Sequence, residues 1–307
     1  MSIGKTIRIY LDNGSVSGIR HAEIVNWTGQ AISAPRPQIK ALSTWEESKK
    51  PGVYFLFGID EESGQDAVYI GEAENVFDRL QNHIANKDFW NEVVFFTSKD
   101  ENLTKSHVKY LESRLVQIAK ISGRYIVLNG NEPQLPVLPR GDRDAMDEFI
   151  SNLRILLGTV GYKVLELLAK GISDTIVSKE TDNDLDNSES TSLELQLKIN
   201  DVNAKAYLTN EGVVVLASSQ VSKTVAKSLS NGYKNLRKEL IENKVLIKTD
   251  SGYIFTKNQL FKSPSQAAAV IVGYPINGRQ YWKTLEGLSL KDIEESNNVL
   301  KETTNAI

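Results

Sequence analysis

Apolar and polar positions alternate in short runs over residues 1–50. KTIRIYL, the turn signal DNG, IRHAEIVNW and AISAP read as strands, until PRPQIK and Pro51 break the pattern. The next segment predicts a strand at 52–58, a loop at 59–66, a strand at 67–71, a helix at about 74–85, a strand at 92–98 and a helix at about 104–120 capped by Thr104. Pro-rich NEPQLPVLP closes that unit. Residues 143–169 carry apolar side chains at helical spacing, with Gly158 and Gly161 placed to bend or split a connector helix. KETDNDLDNSESTS has too little apolar surface to offset its ordering entropy and predicts a flexible acidic linker at 179–192. Beyond it, strand-like LELQLKI, AKAYLT and GVVVLAS precede a helical pattern at 222–243, a hairpin in VLIKTDSGYIFT and a short helix at 264–272. No fixed-period repeat is visible. The expected architecture is α+β: a strand-rich segment (1–50), a small sheet flanked by helices (51–141), a connector (142–178), the linker, and a separate α+β C-terminal domain (193–307).

Composition narrows the chemistry. With 307 residues, 40% of them hydrophobic, the chain is long enough for two or three cores. It has no cysteine, which excludes disulfide frameworks, Cys-ligated zinc, iron–sulfur clusters and a thiol nucleophile, and suits a reducing cytoplasm. MSIGKTIRIYL meets a charge by its fifth residue, and no run approaches a membrane span, so a cytoplasmic protein without membrane contact is expected. The net charge of −3 predicts no whole-molecule attraction to nucleic acid. Locally the balance reverses: residues 204–262 hold ten Lys or Arg against four Asp or Glu, an excess of six. Lys223, Lys227, Lys234, Arg237 and Lys238 in that stretch read either as a phosphate footprint or as an ordinary solvated helix face.

The helix after YIG places Asn75, Arg79 and His83 on one face and Phe77, Leu80 and Ile84 on the other. Arg and His one turn apart can bind one anion, although on spacing alone a solvated helix face is the simpler reading. On the following helix, Glu112 borders the stripe of Val108, Leu111, Leu115 and Ile118. A carboxylate there needs a cation, a donor or a proton, which leaves a salt bridge and a divalent metal as alternatives. Tyr54 and Tyr69 taken singly read as strand packing.

Together, GVY (52–54), YIG (69–71), Arg79 in NVFDRLQNH, Glu112 in KYLESRL and Asn129 in YIVLNGNEP resemble the GIY-YIG nuclease superfamily in order and approximate spacing. The likeness spans under a third of the chain. It implies a small sheet flanked by helices, with both tyrosines, Arg79 and His83 on one side and Glu112 holding one Mg²⁺ or Mn²⁺. The implied activity is metal-dependent endonucleolytic hydrolysis of nucleic-acid phosphodiesters, with double-stranded DNA as the favoured partner, in restriction or repair. In this scheme Tyr54 activates the water, with Tyr69 as its rival, Arg79 neutralises charge, and His83 and Asn129 orient the phosphate and the site. Glu72 departs from the Lys or other non-acidic residue of many relatives. An anion at Glu72 either repels the phosphate or pairs with a nearby base such as Arg79 or Lys105, which implies reduced, gated or altered activity, and a noncatalytic DNA-binding or regulatory protein on the same scaffold is the alternative. LFKSPSQAAAVIVGYPINGRQYWK, with Ser265 as a candidate cap, reads as close packing and also resembles a C-terminal domain accompanying some GIY-YIG proteins. More loosely it is similar to modules of restriction enzymes and adenine methylases. That likeness implies DNA binding, sensing of base modification, and a methylase or restriction-system partner.

Overall fold

The computed structural model describes residues 4–168 and 193–296. The chain divides into two units at residue 167, and its class is mixed α+β. The predicted linker at 179–192 lies outside the described residues, as does the end of the connector segment.

The first unit is built on a seven-stranded sheet. Its strands are β1 (Ile7–Leu11), β2 (Arg20–Ile24), β3 (Gly29–Pro35), β4 (Gly52–Ile59), β5 (Asp66–Ala73), β6 (Trp90–Ser98) and β7 (Ile126–Val127). They lie in the order β1-β2-β3-β6-β4-β5-β7, and every pairing is antiparallel except β5–β7. The N-terminal strands extend this sheet, because β3 pairs with β6 from Gly29↔Ser98 to Pro35↔Glu92. A segment boundary at residue 50 therefore falls inside one unit.

Three helices cover the sheet: α1 (Val76–Asn86), α2 (Lys105–Ser122) and α3 (Arg140–Thr159). Val53, Phe55, Phe57, Val68 and Ile70 pack with α2 and α3 on one face, while Tyr54, Leu56, Val93 and Phe95 pack with α1 on the other. Burial on both faces is why GVYFLFG shows a continuous apolar run and no alternation. Thr104 caps α2, accepting from His107 N at 3.4 Å.

Helix α3 corrects the connector reading. Met146, Phe149, Ile150, Leu153, Leu156 and Leu157 bury into the core of the unit, and the helix ends at Thr159 just before Gly161 at φ +113°. Its apolar stripe is matched by the sheet, so it serves as a core element.

The second unit has a four-stranded sheet, β14-β10-β9-β8, and a three-stranded sheet, β11-β13-β12. The strands are β8 (Leu193–Ile199), β9 (Val202–Thr209), β10 (Gly212–Val215), β11 (Gln220–Ser222), β12 (Leu246–Lys248), β13 (Gly252–Phe255) and β14 (Gln259–Phe261). Its helices are α4 (Asn231–Glu242), α5 (Pro264–Val272) and α6 (Gly278–Tyr281). The expected hairpin is the β12–β13 pair. The helix predicted at 222–243 starts only at Asn231, because residue 222 ends a strand and Ser230 caps the helix, accepting from Tyr233 N.

The Ser-Pro-Ser to Trp pattern is the junction of α5 and α6. Ser263, not Ser265, caps α5 by accepting from Gln266 N, while Ser265 accepts from Gly278 N at 3.0 Å. A Cβ on Gly278 would lie 2.2 Å from the Pro264 carbonyl, and buried Trp282 donates to that carbonyl at 3.0 Å. Close packing accounts for these residues. No helix of the described residues is long and apolar enough to cross a membrane.

Candidate active site

Antiparallel pairing of β4 with β5 puts Tyr54 opposite Gly71 and Leu56 opposite Tyr69. Strand alternation then directs Tyr69, Gly71 and Ala73 toward α1, and Val68, Ile70 and Glu72 toward α2. A Cβ on Gly71 would stand 2.2 Å from the Tyr54 phenol oxygen, so the Gly of YIG is the space through which the Tyr54 ring passes.

Tyr54 is fully buried and ends in a hydrogen-bonded group. Its phenol oxygen is 2.7 Å from His83 Nε2 and accepts from Arg79 Nε at 3.3 Å. The rings of Tyr54, Tyr69 and His83 form a triangle with centroids 5.4–6.4 Å apart. Burial, then the charges of Arg79 and Lys87, push His83 down to about 4, so its imidazole is neutral at pH 7. With Arg79 donating to the phenol oxygen, we assign the phenol hydrogen to His83 Nε2. Burial is also the largest cause pushing the Tyr54 phenol up, outweighing the Arg79 hydrogen bond.

His83 therefore does not share a solvent face with Arg79. Val76, Leu80 and His83 are the buried residues of α1, whereas Arg79 is exposed and reaches the phenol from the side. Asn75 caps the start of the helix, accepting from Asp78 N. The far end is held by Arg36, which donates to Lys87 O at 2.7 Å and Ile84 O at 3.0 Å and lies 4.8 Å from the Trp90 ring centroid. Arg36→Ala is expected to lower stability by about 2 kcal/mol through loss of charged hydrogen bonds to helix-end carbonyls. Denaturant unfolding checks this, and an unchanged midpoint would show that α1 needs no such clamp.

Of the two tasks expected of His83 and Asn129, orienting the phosphate and orienting the site, Asn129 is placed for the second. Its amide accepts from Ile70 N at 3.1 Å and donates to Ile70 O at 2.7 Å, pairing both main-chain groups between Tyr69 and Gly71. It positions the YIG strand, and with both ends of its amide so engaged it is placed to hold β5 and not a phosphate.

Glu112 lies on α2, partly buried, with no hydrogen bond or ion pair among the described residues. Burial first and the Glu72 carboxylate second raise it to about 7, against the pull of Arg79 and Lys109. Neither salt bridge foreseen for Glu72 is made: Lys105 pairs with Glu74 at 2.8 Å, and Arg79 donates to Tyr54. No cluster of three or more His, Asp or Glu occurs among the described residues. A half-buried carboxylate without a cation, repelled by a second one, nevertheless fits Mg²⁺ or Mn²⁺. Magnesium commonly takes one or two carboxylates and completes its shell with water and substrate phosphate. Lys87, whose Nζ lies 4.2 Å from the Tyr69 ring centroid, is a further cation that motif matching overlooks. The spacing 79, 83, 87 is its trace in the sequence.

In the second unit Lys223, Lys227 and Lys238 are exposed and Lys234 is half-buried. Arg237 is 3% exposed and donates to Val270 O and Ser222 O, so it is removed from the phosphate footprint. Helix amphipathicity explains the difference: Arg237 and Leu240 are the buried residues of α4.

Residues 195–294 match the family model of a domain of unknown function, DUF4357. Neither the curated proteins nor the solved structures yield a match to the chain.

Proposed function

We propose that the first unit is a divalent-metal-dependent phosphodiesterase of the GIY-YIG type acting on nucleic acid, with DNA as the favoured substrate. One observation carries this reading. Tyr54, Tyr69, Arg79 and His83, drawn from two strands and a helix, converge, and Tyr54 and Arg79 are close enough to Glu112 on α2 to influence it electrostatically, while Glu112 makes no hydrogen bond or ion pair among the described residues. A salt-bridged scaffold would have neutralised Glu112 internally.

The chain's own groups divide the work. Arg79 offers its remaining N–H donors to a phosphate oxygen and opposes charge developing on it. Tyr54 is the group closest to a proton relay: its phenol hydrogen already points to neutral His83, which can accept it when the phenol oxygen takes a proton from water. Burial holds the isolated phenol protonated, so the relay places the proton on His83 and avoids a free phenolate. Glu112, with Glu72 beside it, would hold the metal, and the bound ion supplies Lewis-acid activation of the scissile phosphate. The second unit is proposed to place the nuclease on its substrate through Lys223, Lys227 and Lys238, in restriction, defence or repair, alongside a methylase or other restriction-system partner.

Plasmid and RNA cleavage by wild type, Arg79→Ala and Glu112→Gln in Mg²⁺ and Mn²⁺ tests the reading. Expected are nicking by wild type and a fall of at least about a hundredfold in each variant, the scale of losing one preorganised electrostatic group. Wild-type protein that cuts neither substrate with either metal, or equal cleavage by both variants, sinks the proposal.

A further inference from the structure

A cleft of about 350 Å³ opens in the second unit between the β8–β9 turn, β11, β13 and the C-terminal end of α5. That is within the range of small-molecule sites. Its charge is unusual. Arg237 is almost wholly buried, yet no carboxylate pairs with it among the described residues. Its guanidinium is held only by the carbonyls of Val270 and Ser222, and burial depresses its pKa. Such a charge is ordinarily paired, because carbonyl dipoles stabilise it without cancelling it. Ser222 and Tyr253 both line the cleft, and the guanidinium carbon lies 5.6 Å from the Tyr253 ring centroid. Lys223 lines the rim, exposed and without a hydrogen-bond or ion-pair partner among the described residues. Asp201 is the one acidic side chain in the lining. Within the lining Lys223 and Asp201 balance, and the Arg237 charge buried behind Ser222 and Tyr253 tips the cleft toward an anion.

The walls add shape. Tyr253 and Tyr274 are half-exposed, and their phenols have no hydrogen-bond partner among the described residues. Gln220 accepts from Asn203 N through its carbonyl oxygen, which leaves its amide N–H groups free to donate. The lining is also pinned: Ala226 N donates to Gly273 O at 2.8 Å, and a Cβ on Gly273 would meet Thr224 O at 2.1 Å. Aromatic faces, an amide donor and an uncompensated cation match an aromatic heterocycle that carries a phosphate.

We propose that this cleft binds one nucleotide, with its phosphate toward Lys223, on the side behind which the Arg237 charge lies buried and out of direct contact, and its base against Tyr253 and Tyr274. That the nucleotide belongs to a strand, and is not free, rests on the phosphodiesterase reading; the chemistry of the cleft does not.

The test is binding of dAMP and of a fluorescent single-stranded oligonucleotide to the full chain in EDTA, where cleavage plays no part. Lys223→Glu and Tyr274→Ala, checked for folding by thermal melting, are compared with wild type. Each is expected to weaken binding about tenfold, the scale of one lost stacking contact. Weakening for the oligonucleotide supports the cleft as a strand contact, and weakening for dAMP alone assigns it a free nucleotide. No binding of either probe, or affinities unchanged in both variants, overturns the proposal. A chain that fails to cut DNA but gives these binding losses would refute the nuclease reading alone.

Discussion

Metal-free Glu112→Gln protein is expected to be more stable than wild type above pH 7 and equally stable near pH 4.5. Burial and the Glu72 carboxylate raise Glu112 from 4.5 to about 7 in the folded chain. The folded state therefore holds this proton more tightly than the unfolded state. Its stabilisation is complete below the unfolded value and is lost as pH rises through about 7. The full shift corresponds to about 3 kcal/mol, and partial exposure of the carboxylate reduces this to about 1–2 kcal/mol. In a unit of this size that is roughly 3–6 °C in Tm. Mg²⁺ should reverse the order at pH 8, stabilising wild type by mass action and leaving Glu112→Gln unmoved. Glu72→Gln, which removes one of the two causes of the shift, should move the pH dependence toward lower pH. Calorimetric melts between pH 4.5 and 8, with and without Mg²⁺, read all three effects. A variant less stable than wild type at pH 8 without metal would show that Glu112 already has a partner in the protein.

Much of the first unit is written in its apolar pattern, because β4 is buried on both faces and α2 carries its cap and stripe in plain sequence. What the pattern cannot carry is partnership. A stripe on α3 calls for a partner without naming the sheet, and β1–β3 join that sheet through a pairing of residues 29–35 with 92–98 that is non-local. The same limit governs the site. Motif order places Tyr54, Arg79 and His83 near one another, but helix geometry alone assigns His83 to the solvent face. It is turned inward because the two tyrosines and the space left at Gly71 give its ring a hydrogen-bonded place in the core. Asn129 and Arg237 are matching cases. Each looks like a ligand-binding polar residue, and each is engaged by main-chain groups distant in sequence. Burial of a polar side chain is a property of the tertiary fold, and composition holds no record of it.

Gly71→Ala should abolish cleavage while leaving every candidate catalytic residue in the sequence. The added methyl would meet the Tyr54 ring at 2.2 Å from its oxygen and 2.4 Å from Cζ. Tyr54 is fully buried and flanked by His83 and Tyr69, so its ring has no open space to swing into. Displacing it breaks the contacts with His83 and Arg79, and loss of one positioned proton-transfer group is worth about 10²–10⁴ in rate. Overpacking should also destabilise the unit by about 1–3 kcal/mol. A double-mutant cycle separates this clash from a general effect of alanine in β5. Tyr54→Ala alone opens a cavity, and in that background the Gly71 methyl has nothing to strike, so the double variant should be no less stable than Tyr54→Ala. The expected coupling is therefore favourable and about as large as the single-site loss from Gly71→Ala, because the two side chains occupy the same space. Additive losses, or a fully active Gly71→Ala, would mean that the Tyr54 ring does not cross β5 at Gly71. The hydrogen bond from Tyr54 to His83 would then lose its place at the centre of the site.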